Sequence, residues 1–111
     1  MTKQAMREPS FLILTALAAG PQHGYSLMTD VAHISEDRVR LRAGTLYAAL
    51  DRLRADGLID ADREQIVDGR LRRYYRLTPH GAEALAAETA RMRSNAAVAT
   101  RRLRALGMGA T

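Results

Sequence analysis

Residues 43–78 read AGTLYAALDRLRADGLIDADREQIVDGRLRRYYRLT, and a change of period inside that stretch decides the fold. In its first part Leu46, Leu50 and Leu53 fall at i, i+4 and i+7. That spacing predicts a helix with one apolar face from Ala43 to about Asp56, ended by Gly57. From Ile59 to Ile66 the chain alternates loosely, and from Leu71 to Leu77 it alternates again. Between the two runs stands Asp68-Gly69, a pair that tolerates the left-handed backbone of a two-residue hairpin turn. Thr78-Pro79 then opens a new helix, Thr as its cap and Pro at its first position.

Upstream, Pro9-Ser10 opens a helix from Phe11 to about Ala19, which Gly20-Pro21 stops. Phe11, Leu12, Ile13, Leu14 and Leu17 make it apolar nearly all round, so it is expected to be buried on more than one side. A second helix fits Gly24–Ile34, with Leu27, Val31 and Ile34 as its stripe, widened by Met28 and Ala32. Ser35-Glu36-Asp37 breaks that pattern. Residues 1–8 read as a short flexible arm and Gly107–Thr111 as a frayed tail. Downstream of Thr78 one helix runs from Pro79 to about Leu106.

The order is three short helices, a hairpin and a long helix. This is the layout of a mainly α winged helix-turn-helix (residues 1–78) with a helical extension (residues 79–111). In such folds the third helix enters the DNA major groove and the hairpin, or wing, reaches a neighbouring groove or phosphate.

Charge agrees with that layout. The 111 residues carry 17 Lys and Arg against 12 Asp and Glu, a net +5, and Lys3 is the only lysine. Arginine's planar fork suits phosphates and base edges. A GC-rich source also replaces Lys with Arg, so the weight lies on where the arginines sit. With no cysteine, disulfides and thiolate chemistry are excluded. The apolar run Phe11–Ala19 is too short to span a bilayer and lacks the flanks of a secretory signal, so the expected location is the cytoplasm.

On the third helix Leu46, Ala49, Leu50 and Leu53 face the core, while Gly44, Thr45, Ala48, Asp51 and Arg52 face away and Tyr47 and Arg54 flank them. Small side chains such as Ala48 permit close approach to bases, and Thr45 and Arg52 can donate hydrogen bonds to them. Arg42, just before the helix, and the helix N-terminus itself suit phosphate. The wing carries Arg70, Arg72, Arg73 and Arg76 around Tyr74 and Tyr75, and Gly69 at its tip permits close backbone approach. A two-residue turn places Glu64 opposite Arg73 and Gln65 opposite Arg72. Arg73 therefore has two readings, a DNA contact or a cross-strand ion pair. Tyr25, at the start of the second helix, has two as well: a phosphate donor or half-buried packing. His23 reads as a surface or capping residue.

Three linked strings also resemble a family. Gly44-Thr45-Leu46-Tyr47 with Leu50, Arg52-Leu53 and Gly57-Leu58-Ile59 is similar to the recognition-helix signature of the PadR family of bacterial transcriptional regulators. His23-Gly24-Tyr25 upstream and Arg73-Tyr74-Tyr75-Arg76-Leu77-Thr78 with Gly81 downstream resemble the rest of its pattern. The likeness covers roughly residues 10–85, in the family's order, and the single C-terminal helix resembles its shorter size class. Ala48 departs from it, since the family often has proline there. The resemblance implies a homodimer that represses a promoter and often releases it on binding a small molecule.

The last helix supports pairing. Leu85, Met92, Ala99 and Leu106, together with Ala82, Thr89, Ala96 and Leu103, form a heptad seam. Either the seam packs on its own domain or it receives a partner helix, and the helix length favours a partner. Two copies would set two reading helices on one face of a pseudo-palindromic operator. Phe11 and Leu14 of the first helix are expected to join that interface, and a pocket for an effector is expected among Phe11, Leu14, Met92 and Ala96. Residues 81–111 hold five arginines and two glutamates, which adds long-range attraction for DNA.

No cofactor or metal is expected. His23, His33 and His80 are scattered without helical metal spacing, and there is no nucleophile elbow or Gly-rich phosphate loop. Asp60, Asp62 and Glu64 alternate along one strand, which suits a solvated face better than a cation site. The rival to DNA binding is a winged helix used for protein contact.

Overall fold

The computed structural model describes residues 6–108. Its elements are α1 (Glu8–Ala18), β1 (Gln22–His23), α2 (Gly24–Ile34), α3 (Ala43–Ala55), β2 (Ile59–Val67), β3 (Arg70–Leu77) and α4 (Pro79–Ala105). This is the expected winged helix-turn-helix with a long terminal helix. The strands form one antiparallel sheet in the order β1-β3-β2.

The core is built where the three helices meet the base of the sheet. Ile13, Leu14, Leu27, Val31, Leu46 and Leu50 are sealed in it, together with Ile59 and Tyr75. Each helix supplies residues three or four apart, which puts them on one face. Helix α1 buries Leu12, Ile13, Leu14, Ala16 and Leu17. An element this apolar has to be covered on more than one side, and α2, α3, β3 and α4 all pack against it.

Two upstream expectations need correction. The segment before α1 is not an arm along its whole length: Met6 packs against the core, and α1 begins at Glu8. Residues 1–5 lie outside the described residues, as do 109–111 of the expected tail. Ile34 does not complete the α2 stripe, because the helix ends there and the side chain is exposed. Val39 and Leu41, just past the turn, pack on the core instead.

The turn between α2 and α3 is held by Ser35. Its Oγ donates to the Val31 carbonyl at 2.9 Å and accepts from the Val39 N–H at 3.0 Å. Glu36 and Asp37 adopt left-handed backbone, φ 53° and 64°, which reverses the chain within two residues.

The long helix is locked at its start. Thr78 Oγ1 accepts from the Gly81 N–H at 2.9 Å and donates to the Gly57 carbonyl at 2.7 Å, joining the cap of α4 to the end of α3. A side chain at Gly81 would collide with the Leu58 carbonyl, so α4 approaches that closely only because position 81 is glycine.

Candidate nucleic-acid interface

Helix α3 divides along its length as its period requires. Leu46, Ala49, Leu50 and Leu53 are buried, and Gly44, Thr45, Ala48, Asp51 and Arg52 are exposed. Arg42 is the N-cap residue and makes no side-chain cap bond, so the first amides of α3 are not satisfied by a cap, and Ala43, Gly44 and Thr45 are exposed. Tyr47, on the flank, is partly exposed, and its hydroxyl fills the space that a side chain at position 24 would need. The ring therefore leans against the start of α2.

Tyr25 is 74% exposed, against the half-buried packing reading, and among the described residues its hydroxyl makes no hydrogen bond. His23 caps α2, its Nδ1 lying 3.4 Å from the Ser26 N–H. It also belongs to β1, a two-residue strand that pairs Gln22 with Tyr75 and His23 with Tyr74. The His23 ring meets Tyr74 edge-on at 5.2 Å, and its Nε2 lies 3.4 Å from an Arg72 guanidinium nitrogen. A neutral imidazole has one lone pair, so it accepts from either Ser26 or Arg72, not both. Burial, and then the Arg72 charge, hold the His23 pKa below its ordinary 6.5, which favours the neutral ring.

The wing turns at Asp68-Gly69, with φ 52° and 75°, the left-handed pair of a two-residue hairpin turn. Val67 faces Arg70 across it, Gln65 faces Arg72 and Glu64 faces Arg73. The register is the one the sequence implies. Among the described residues, however, no ion pair joins Glu64 and Arg73 within 4.0 Å. Arg70 and Arg73 are exposed, and Arg72 is half-buried beside His23. Arg76 pairs with Asp60 at 3.5 Å.

A bulge between Ala61 and Glu64 explains the loose alternation of β2. The extra residue carries Arg63 to 3.9 Å above the Tyr74 ring, and Tyr74 in turn donates to Gln65 Oε1 at 3.0 Å. Sequence reasoning missed both Arg63 and β1. Asp60, Asp62 and Glu64 do not converge: Asp60 turns to Arg76 and Asp62 to Arg63. No cluster able to hold a metal occurs among the described residues.

Helix α4 uses its seam unevenly. Leu85 packs on the core, and Glu88 is buried, bound by Arg91 through Nε at 2.9 Å and through a second hydrogen bond. Further on, Met92 is 43% exposed, Ala96 and Ala99 are open, and Leu103 and Leu106 are exposed too. Phe11 is half-buried against the core. Leu14 is corrected: it is sealed inside the protomer's own core and has no surface for a partner or an effector. An apolar groove beside α4 is lined instead by Ala18, Leu77, Ala82, Leu85, Ala86 and Thr89, with Ala90 and Arg93 at its end. No helix among the described residues is long and apolar enough to cross a membrane.

The same arrangement recurs in known proteins. A Clostridium difficile PadR family transcription regulator is 26% identical and superposes with a TM-score of 0.73, covering 87% of this chain and 99% of that one. The structure of Bacillus subtilis PadR in complex with operator DNA matches at TM-score 0.65 and 23% identity, over 73% of this chain and 46% of that one, a likeness of fold. A transcriptional regulator of Mycobacterium tuberculosis is 44% identical over 73 residues, which span 66% of this chain and 64% of the relative. The sequence pattern of the transcriptional regulator PadR-like family matches residues 13–87. The chain therefore belongs to the PadR-like family, a family of transcriptional regulators and not of enzymes.

Proposed function

We propose that this regulator binds duplex DNA sequence-specifically as a homodimer, with α3 in the major groove and the wing on the flanking backbone. The observation that carries this reading is the pairing of two exposed faces. Helix α3 offers Arg42, Thr45, Ala48 and Arg52 to solvent, and the wing offers Gly69, Arg70 and Arg73. None of these arginines has a carboxylate within 4.0 Å among the described residues. Tyr25 and Tyr47 line one hollow with Arg70, Arg73 and the half-buried Arg72. Small residues on α3 admit base edges, Arg52 and Thr45 read them, and the wing arginines neutralise phosphates.

Residues 79–111 hold two copies together through the exposed half of α4, at Met92, Ala96, Ala99, Leu103 and Leu106, with Leu85 and Phe11 at the edge. The pair reads a pseudo-palindromic operator in the cytoplasm and represses the promoter that carries it. Release by a small molecule uses the apolar groove between α1, β3 and α4. Its volume, about 440 Å³, is within the range of small-ligand sites.

A second reading, a winged helix used for protein contact, draws on Ile66 and Leu71. They face each other across the wing and are 73% and 59% exposed. Titration onto a duplex of its own promoter, beside an unrelated duplex and over a salt series, separates the two. Binding to the promoter that survives salt able to release the unrelated DNA supports the regulator. No binding to either duplex supports the protein-contact module.

A further inference from the structure

We infer that Arg7, in the segment before α1, is an additional phosphate-binding residue of the DNA interface, beside Arg42 at the edge of the base-reading face of α3. The inference rests on reading α3 as the DNA-facing helix. Arg7 and Pro9 of the first segment line one concavity with Arg42, Thr45, Ala48 and Arg52 of the third. Three arginines from two separate parts of the chain thus face one hollow, and no acidic side chain is among its lining residues. Among the described residues none of the three has a carboxylate within 4.0 Å. Glu8, next in sequence, is exposed and lies outside the lining. Like charges gathered without a counter-charge repel each other, and an anion in the hollow removes that repulsion. The hollow is continuous with the face of α3 that meets bases, so its natural occupant is the sugar-phosphate backbone at the groove edge.

Arg7 is also placed, not loose. Its carbonyl accepts from the Phe11 N–H at 3.0 Å and begins α1. Met6, the residue before it, packs against the core. The core and the first turn of α1 therefore fix the backbone that carries this cation on the face of α3. A side chain on a fixed backbone has less backbone freedom to lose when it meets a phosphate than one on a free arm.

The test compares wild type, Arg7→Ala, Arg7→Lys and Arg52→Ala on the promoter duplex and on an unrelated duplex across a salt series. A phosphate contact carries no sequence information, so Arg7→Ala should weaken both duplexes by the same factor. Each lost contact should flatten the slope of log K against log salt by about 0.9, or about 3.5-fold less salt sensitivity per protomer between 50 and 200 mM. Arg7→Lys should restore most of the affinity, since charge suffices, and both variants should melt where wild type does because the side chain is exposed. Arg52→Ala should instead narrow the gap between the two duplexes. Unchanged affinity and slope in Arg7→Ala, or no recovery in Arg7→Lys, would overturn the inference while leaving the DNA reading intact. Absence of binding by wild type would overturn both.

Discussion

Helices α3 and α4 are both amphipathic, but they complete their apolar faces differently. Helix α3 spends its whole stripe inside the protomer: Leu46, Ala49, Leu50 and Leu53 are covered by α1, α2 and the base of the sheet. Its other face is small, polar and basic. Helix α4 is covered only along its first turns, where Gly81, Leu85 and Glu88 meet the core. Beyond Arg91 the seam continues through Ala96, Ala99 and Leu103, all exposed among the described residues. A finished apolar face leaves a helix free to read a polar ligand, whereas an unfinished one calls for a second chain.

Substitutions on the two helices sharpen that contrast. The largest effect is expected from Leu50→Ala, which opens a cavity in the sealed core and should cost about 2–5 kcal/mol of protomer stability by denaturant unfolding. Leu103→Asp should leave helix content intact but weaken self-association by about 30-fold, on the order of 2 kcal/mol, by sedimentation. If α4 finished its face within the protomer, Leu103→Asp would change melting and not mass. Arg52→Ala should preserve both fold and dimer and lose about 1–3 kcal/mol of discrimination at a single base pair.

The smallest effect concerns pH. Hydrogen bonds from Arg91 hold the Glu88 carboxyl below its ordinary 4.5, a shift that desolvation opposes. A carboxyl depressed in the folded state contributes stability above its unfolded value, and that contribution is lost as pH falls through the folded value. Melting temperature should therefore drop on acidification below about pH 4.5 in wild type and drop less in Glu88→Gln. Parallel curves would mean that the Glu88–Arg91 contact adds nothing to folding.

Much of this was legible in the sequence because periodicity carries phase. The spacing of Leu46, Leu50 and Leu53 put the buried face of α3 where the structure has it, and Asp68-Gly69 set the wing register from Glu64–Arg73 to Val67–Arg70. Phase fails where every side is apolar. Helix α1 gave no direction, so Leu14 was expected at an interface, and the structure seals it in the core. Strand β1 has two residues, too few for a period, and it exists only because β3 offers an edge to Gln22 and His23. The bulge at Asp62-Arg63 blurred the alternation of β2 and hid the stacking of Arg63 on Tyr74. Arg7 stands outside any repeating pattern. Only the folded chain brings it beside Arg42 and Arg52.

The most direct test of two α3 helices presented by one α4-paired dimer is hydroxyl-radical footprinting of the protein on its own promoter. Two symmetric protected segments are expected, with centres one helical turn, about 10–10.5 base pairs, or a whole multiple of it apart. A single asymmetric segment, or uniform protection along the duplex, would contradict it.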